Sequence, residues 1–324
     1  MVIRVGVIGT GYAAGARAKA LNGDARSRLI AVAGRDLDRT EAFAQTHNVR
    51  AAKSWQALVA DVQIEMVVVA TVSALHGDMV EAALRAGKHV VVEYPLSLDV
   101  MQAERLMALA AQKNVLLHVE HIELLGGLHR AMSAHLHAVG LVRYVNYRTL
   151  NPQHPAPRKW TYNQALFGFP YCGALSRVQR MTTLFGAVGQ VSCCTQYVSD
   201  AAEGNWFKGV VSSARLEFVS GVVAALTYGK GEGLWVRRRE VEVQGSDGAM
   251  TFQGNQGRLI TVQGEQAIAV EPRKGLFVKD TDAVMSYLTD GVPLYVNVRD
   301  SVYALKVSDA LRRASESGQT VKVD

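Results

Sequence analysis

Cysteine is scarce in this chain: three occur among 324 residues, Cys172, Cys193 and Cys194. An odd number without Cys-x-x-Cys spacing argues against a disulfide framework and a zinc ribbon, and a reducing cytoplasm is the expected setting. Long apolar runs are missing as well. The longest, around Val67–Ala70 and Val90–Val92, are strand-length, far short of the roughly 18 residues of a membrane span. The N-terminus runs straight into a strand, without the basic start and cleavable apolar segment of a secretory signal. A cytoplasmic protein with no membrane partner is expected. Internal repeats and low-complexity segments are absent. No run of basic residues exceeds Arg237-Arg238-Arg239, and no zinc finger or RNA-binding signature accompanies it, so nucleic acid is not the expected partner.

What remains is an ordinary globular composition, 49% hydrophobic with a mean hydropathy of +0.06. The length favours two domains over one core, here 1–121 and 122–324, with the C-terminal helices able to pack back on the first. Net charge is +6. Up to His121 there are 13 basic and 12 acidic residues, and beyond it 22 and 17, so the surplus lies in the second half. An anionic small molecule held there accounts for it.

Met1–Ile8 reads as a strand, and Gly9-Thr10-Gly11-Tyr12-Ala13-Ala14 follows without a gap, opening a helix through Asn22. Between a strand and a helix, G-x-G-x-x-A is a dinucleotide fingerprint. Gly9 permits the tight turn, Gly11 lets a pyrophosphate approach the backbone, and Ala14 lets helix and strand pack closely. The helix N-terminus adds N–H groups and partial positive charge. The second strand, Arg28–Ala33, ends in Gly34-Arg35-Asp36. An acid here would take a ribose 2′-OH, whereas Arg35, with Arg39 one turn on, suits a 2′-phosphate. NADPH is the expected cofactor, with NADH weaker through Asp36. The other reading of Arg35 is a solvated surface charge.

Alternation continues with a helix Trp55–Ala60 capped by Ser54, a strand Met66–Ala70 ending at Thr71, and a helix His76–Ala86 closed by Gly87. The next strand, Lys88-His-Val-Val-Val-Glu-Tyr94, stops at Pro95, which has no N–H for a ladder. Asp99 caps Val100–Lys113, and a strand Val115–Val119 runs into Glu120-His121. This right-handed β-α-β series predicts a doubly wound parallel sheet of Rossmann type. Ligands of such sheets collect at the carboxyl ends of the strands. The expected cofactor residues are therefore Gly9, Thr10, Gly11, Tyr12, Ala13, Arg35, Thr71, His76 and Glu93, with Tyr94, Glu120 and His121 toward the substrate. His118-Val-Glu-His121 also resembles a metal cluster, but strand alternation puts His118 and Glu120 on one face and His121 on the other. A polar site wall and satisfied structural histidines both remain open.

In the second half, Leu124–Val139 reads as a helix, and Leu141–Leu150 as a strand whose faces are Val142, Tyr144, Asn146, Arg148 and Arg143, Val145, Tyr147, Thr149. Val210–Val219, Val222–Tyr228, Trp235–Gln244, Ala249–Phe252 and Arg258–Val262 repeat this habit between glycine-containing turns, which predicts an open antiparallel sheet with helices on one face. A helix Gly173–Phe185 lies between strands, and two helices and a strand Thr320–Val323 close the chain. Arg177 and Arg180, three apart, should share a helix face. Tyr144, Tyr147, Trp160, Tyr228 and Trp235 can stack on a flat ligand or fill a core.

A Rossmann half ending in Glu-x-Pro and followed by an antiparallel sheet resembles the glucose–fructose oxidoreductase and inositol dehydrogenase family over essentially the whole chain. Members usually have Glu-Lys-Pro where this sequence has Glu93-Tyr94-Pro95, and an Asp and a His near what are here Gly173 and Arg177. No Asp or His occurs from Phe169 to Phe185, so the groups that serve alcohol oxidation are missing. One branch fits these departures. Val-Val-Val-Glu-Tyr94-Pro, His118-Val-Glu-His-Ile-Glu-Leu-Leu-Gly-Gly127, Asn151-Pro followed by Pro155-Ala-Pro-x-x-Trp-Thr-Tyr162, Phe167-Gly-Phe-Pro170, Ala174-Leu-Ser-Arg-x-x-Arg180 and Arg273-x-Gly-Leu-Phe277 resemble the biliverdin reductases, the cyanobacterial type in particular. That resemblance implies NADPH-dependent reduction of an anionic linear tetrapyrrole in a pocket on the open sheet face. Arg177 is then expected nearest the reacting centre, assisted by Arg180 and Tyr94, with Glu120, His121 and Trp160 against the substrate. Another conjugated or imine substrate, or a non-catalytic NADP-responsive binding protein, are the alternatives. Oligomeric state is open.

Overall fold

The computed structural model describes residues 2–199 and 201–323, so the Met1 end of the first expected strand lies outside it. The chain forms two compact units. One comprises the residues up to Leu125 together with Gly275–Val302, the other Gly126–Lys274 and the residues from Tyr303 onward.

In the first unit β1 (Ile3–Ile8), β2 (Ser27–Ala33), β3 (Arg50–Ala51), β4 (Met66–Val69), β5 (His89–Glu93) and β6 (Leu117–Glu120) form a sheet in the order β3-β2-β1-β4-β5-β6. Every pairing is parallel. The valine runs Val67–Val69 and Val90–Val92 are almost wholly buried, as expected of strands covered on both faces. The helices between them are α1 (Tyr12–Asn22), α2 (Leu37–His47), α3 (Trp55–Ala60), α4 (His76–Arg85) and α5 (Val100–Lys113). Asp36, Ser54 and Asp99 cap α2, α3 and α5 by accepting from Arg39, Ala57 and Met101 N–H groups, which satisfies donors the helix cannot. A helix far along the chain, Leu276–Asp290, completes this unit: Val284 and Met285 share one core with Ile3, Val5 and Leu21.

The second unit contains β7 (Val142–Pro152), β8 (Val188–Val198), β9 (Gly209–Phe218), β10 (Val223–Gly231), β11 (Arg238–Gly245), β12 (Gly248–Gln253), β13 (Gln256–Thr261), β14 (Gly264–Ala269) and β15 (Val321–Lys322). Their order is β14-β13-β12-β11-β7-β10-β9-β8-β15. All neighbours pair antiparallel except β7 and β10, which run parallel, so the sheet is mixed and not a plain meander. A parallel pair needs a crossover, and here the chain between β7 and β8 supplies helices for it: α7 (Gln164–Phe167), α8 (Pro170–Gly173) and α9 (Ser176–Phe185), after α6 (Gly127–His135) has led into the sheet. The expected helix Leu124–Val139 is broken into α6 and two flanking 3-10 turns. The expected helix Gly173–Phe185 is split after Gly173, where the Phe167 ring would meet any Cβ at 2.3 Å.

Alternation on the strands gives the sheet one buried face, carrying Val145 and Tyr147 of β7 and Ala224, Leu226 and Tyr228 of β10. The opposite face carries Tyr144, Asn146 and Arg148, with Arg148 paired to Glu240. No helix among the described residues is long and apolar enough to cross a membrane.

Candidate active site

The loop from β1 to α1 is shaped by its neighbours at one glycine and by nothing at the other. Gly9 has φ +130°, and a Cβ there would lie 2.1 Å from the Ala70 carbonyl oxygen at the end of β4. Gly11, the N-cap of α1, would meet no protein atom within 4 Å, so its glycine answers to no contact within the chain. No side chain caps α1, and its first turn carries no acid. Its leading N–H groups thus face an open space beside Thr10, Tyr12 and Ala13. A pyrophosphate is what such a helix end binds. Tyr12 is exposed, with Phe277 edge-on at 6.3 Å.

At the end of β2, a Cβ on Gly34 would press on Thr40 at 2.5 Å and Thr10 at 2.9 Å, so the turn bearing Arg35 sits against the glycine loop. Arg35 is exposed. Asp36, the residue that kept NADH open, accepts from the Arg39 N–H at 3.0 Å as the cap of α2. The acid has a structural duty, and the arginine does not.

Thr71, after β4, and Pro95, after β5, are tied together by His76. Its Nδ1 is 2.7 Å from the Pro95 carbonyl and its Nε2 3.2 Å from that of Thr71. Burial lowers the His76 pKa against the pull of these carbonyls. The ring is fully buried, so it positions the two strand ends and is not itself a surface for cofactor.

Glu93 and Glu120 stand in register across β5 and β6. Burial, then the Glu93 charge, raises the Glu120 pKa well above the usual carboxylate range. Its Oε2 also accepts from the Ile122 N–H at 2.9 Å. Behind them lies a buried network that inspection of the sequence missed. Arg17, on α1, donates to Glu93 at 3.1 Å and also to Asp280. His118 Nε2 is 2.8 Å from Asp280, and the Tyr295 hydroxyl donates to the same carboxylate. Burial works to raise the Asp280 pKa, but Arg17, His118 and Tyr295 together hold it below the ordinary value. A signal existed: Arg17 and Asp280 interrupt apolar helix faces, Ala14-Ala18-Leu21 and Leu276-Val284-Met285, with opposite charge.

His121 is off the strand and wholly buried, Nε2 2.9 Å from the Ser301 hydroxyl. Burial, then His118, pulls its pKa down to about 3, so the imidazole is neutral. Its outer face stacks on Tyr94, centroids 5.4 Å apart and planes within 3°. His121 therefore backs Tyr94, and does not itself offer a polar edge to substrate. His118 and Glu120 are buried in the network just described, His118 as a histidine satisfied by Asp280.

In the second unit α9 lies over the buried face of β7 and β10. The Arg177 guanidinium carbon is 5.0 Å from the Tyr228 ring centroid, and its Nη1 is 3.3 Å from the Ser176 hydroxyl. Arg180 is buried more deeply than the half-buried Arg177. It is 1% exposed and donates to the Tyr147 hydroxyl, and burial together with this cation lowers the His129 pKa to about 4. Trp160 is half-buried against Phe167, 6.1 Å away. The aromatic residues form no single platform: Tyr147 and Tyr228 are core, Tyr144 is on the open face, and Trp235 is exposed with His154 stacked on it. Arg177 and the open sheet face are thus on opposite sides of the sheet, so a pocket on the open face could not use Arg177.

A loop that presents bare helix N–H groups, followed by a strand end bearing acids and a tyrosine, defines a nicotinamide-dependent oxidoreductase scaffold. Residues 3–121 match the oxidoreductase family with NAD-binding Rossmann fold, and residues 136–323 match that family's C-terminal alpha/beta domain. The chain belongs to the glucose–fructose oxidoreductase and inositol dehydrogenase (Gfo/Idh/MocA) family and is an NAD(P)H-dependent oxidoreductase. Among solved structures it is similar to the biliverdin reductase of Synechocystis sp. PCC 6803 in complex with biliverdin and NADP+, at 46% identity, TM-score 0.94, covering 97% of this chain and 99% of that one. It is 28% identical to mouse biliverdin reductase A over 87% of this chain and 84% of the relative. A 3-ketoreductase from Actinomadura kijaniata shares the fold, with TM-score 0.85 at 24% identity over 97% of this chain and 98% of that one.

Proposed function

We propose that this protein reduces biliverdin IXα to bilirubin with NADPH, by hydride transfer to the central methine carbon and protonation of a pyrrole nitrogen. The observation that carries the reading is full-length similarity to a biliverdin reductase in a chain whose alcohol-oxidising positions hold Tyr94, Gly173 and Arg177. Alcohol oxidation needs a base matched to a hydroxyl proton, and none stands at these positions. An imine-like pyrrole nitrogen is already basic and leaves no alkoxide to stabilise.

NADPH, when bound, supplies the hydride. The chain's own part begins with the α1 N–H groups and Arg35 on the phosphates, with Thr71 and Glu93 at the strand ends. Tyr94, held flat by His121, walls the nicotinamide site. Arginine is a poor direct acid, but it can orient a water or grip a propionate with two parallel hydrogen bonds. Arg177 takes this role, and Arg180 holds Tyr147 beneath α9.

Purified protein with NADPH should bleach the long-wavelength band of biliverdin while a bilirubin band rises. No spectral change in protein shown to bind NADPH would remove the proposal. Arg35→Ala should weaken NADPH about 10- to 100-fold, the loss of one charged hydrogen-bond set, and leave NADH nearly untouched. Equal losses for the two cofactors would contradict a 2′-phosphate contact.

A further inference from the structure

The family's lysine is missing at position 94, but another lysine is buried in the second unit. Lys230 lies on the covered face of β10, two residues after Tyr228, and is 6% exposed. Its ammonium donates to the Thr161 carbonyl and is otherwise enclosed by rings: Phe167 at 3.6 Å, Tyr162 at 4.8 Å and Phe207 at 5.4 Å to their centroids. Cation–π contact replaces part of the lost hydration, but a buried cation normally has a counter-ion. None lies within ion-pair distance among the described residues. The charged group it feels is Arg177 of α9, of like sign. From the other elements packed around it come Tyr162, whose burial raises its pKa to about 12 and keeps it neutral, Tyr228 on its own strand, and Asn151 and Val210 opposite on β7 and β9. Glu232, two residues on, is turned away to accept from the Ala156 N–H at 3.0 Å.

We propose that Lys230 is a positioning residue for the substrate: its ammonium clamps the Trp160–Tyr162 turn to the sheet on the same face as Arg177, and a carboxylate ligand that settles at Arg177 tightens this clamp. The clamp stands on the geometry alone, whereas the identity of the carboxylate as a pigment propionate rests on the function proposed above. Burial, with Arg177 second, pulls the Lys230 pKa down to about 7. The neutral amine can still donate to the Thr161 carbonyl, but less strongly than the ammonium, so the clamp loosens as the proton is lost. An anion beside Arg177 removes the like-charge penalty and supplies the missing counter-charge, so the pKa rises on binding. Affinity for the anion must then fall as pH rises above 7, because the proton it recruits becomes harder to obtain.

Two measurements separate the parts. Hydrogen exchange of residues 159–167 in ligand-free protein, corrected for intrinsic rates, should show wild type protected at pH 6 and looser at pH 8.5. Lys230→Arg should stay protected at both and Lys230→Met be loose at both. Protection in Lys230→Met equal to wild type overturns the clamp. Biliverdin affinity should fall about tenfold between pH 6.5 and 8.5 in wild type, with proton uptake seen calorimetrically in buffers of different ionisation enthalpy. Biliverdin dimethyl ester, which lacks the charges, should bind without uptake. Lys230→Arg should bind with no pH step. A pH step that persists in Lys230→Arg, or equal uptake with the ester, overturns the linkage. If wild type binds no biliverdin the proposed function fails, while the exchange result still decides the clamp. Unchanged NADPH affinity and melting confirm that each variant is folded.

Discussion

Arg177→Leu should retain its affinity for NADPH and lose about 100- to 1000-fold in the rate of biliverdin reduction, the range seen when one preorganised polar contact to developing charge is removed. The guanidinium is placed over the Tyr228 ring at the leading end of α9, and the helix ahead of it is anchored by Tyr171, whose hydroxyl lies within hydrogen-bond distance of the Ser212 and Leu226 carbonyls. A side chain so seated is not a solvated surface charge. Arg177→Lys keeps the charge but not the planar fork, and should recover only part of the rate. Arg180→Lys is a different experiment, because Arg180 is buried on Tyr147. Its effect should appear first in stability and only then in turnover. A single-turnover rate for Arg177→Leu within threefold of wild type would move the proton-orienting role elsewhere.

The difference between the two arginines marks where reading the chain reached its limit. A three-residue spacing places side chains near one another, about 60° apart on the helix, and that angle straddles the edge between covered and open. The Rossmann half was largely legible, α2 and the two-residue β3 excepted, because strand, glycine turn and capped helix are local signals and the valine runs can be satisfied only by a sheet buried on both faces. The second sheet was less so. Alternation on β7 and β10 is the same whether they pair parallel or antiparallel, and the crossover that decides it is a property of the whole connection. Two strands went unread for local reasons. Val188–Val198 carries Ser-Cys-Cys-Thr-Gln in its middle, and Gly264–Ala269 buries only Ile268. The network behind Glu93 went unread for a third reason: each charge stands out on its own helix face, but Arg17 and Asp280 are 263 residues apart, and only folding makes them one group.

That network should dominate the stability of the first unit. Arg17→Met removes the guanidinium that bridges Asp280 and Glu93, leaving Asp280 to His118 and Tyr295 and both buried carboxylates without their shared cation, a change that costs about 3–5 kcal/mol. In a unit of this size the melting temperature should drop by about 10 °C. Asp280→Asn should cost less, because Arg17 keeps Glu93. The two together should cost less than their sum, since each removes the other's partner. Glu120→Gln should cost little at pH 7, since burial and the Glu93 charge favour the neutral carboxyl and an amide can donate in its place. The pH dependence carries the sign. Asp280 is held below its ordinary pKa of 3.8, so its contribution is fully present above that value and is lost only as pH falls through the lower native one. Glu120, held high, acts oppositely and removes stability as pH rises. Wild type should therefore keep its advantage over Arg17→Met at pH 7. The gap should narrow toward pH 4, where the stranded carboxylates of the variant gain from protonation. A gap of under about 2 °C at pH 7, or one that widens on acidification, would show that the cluster is packed polar filling and not the electrostatic anchor of the strand ends beside Tyr94.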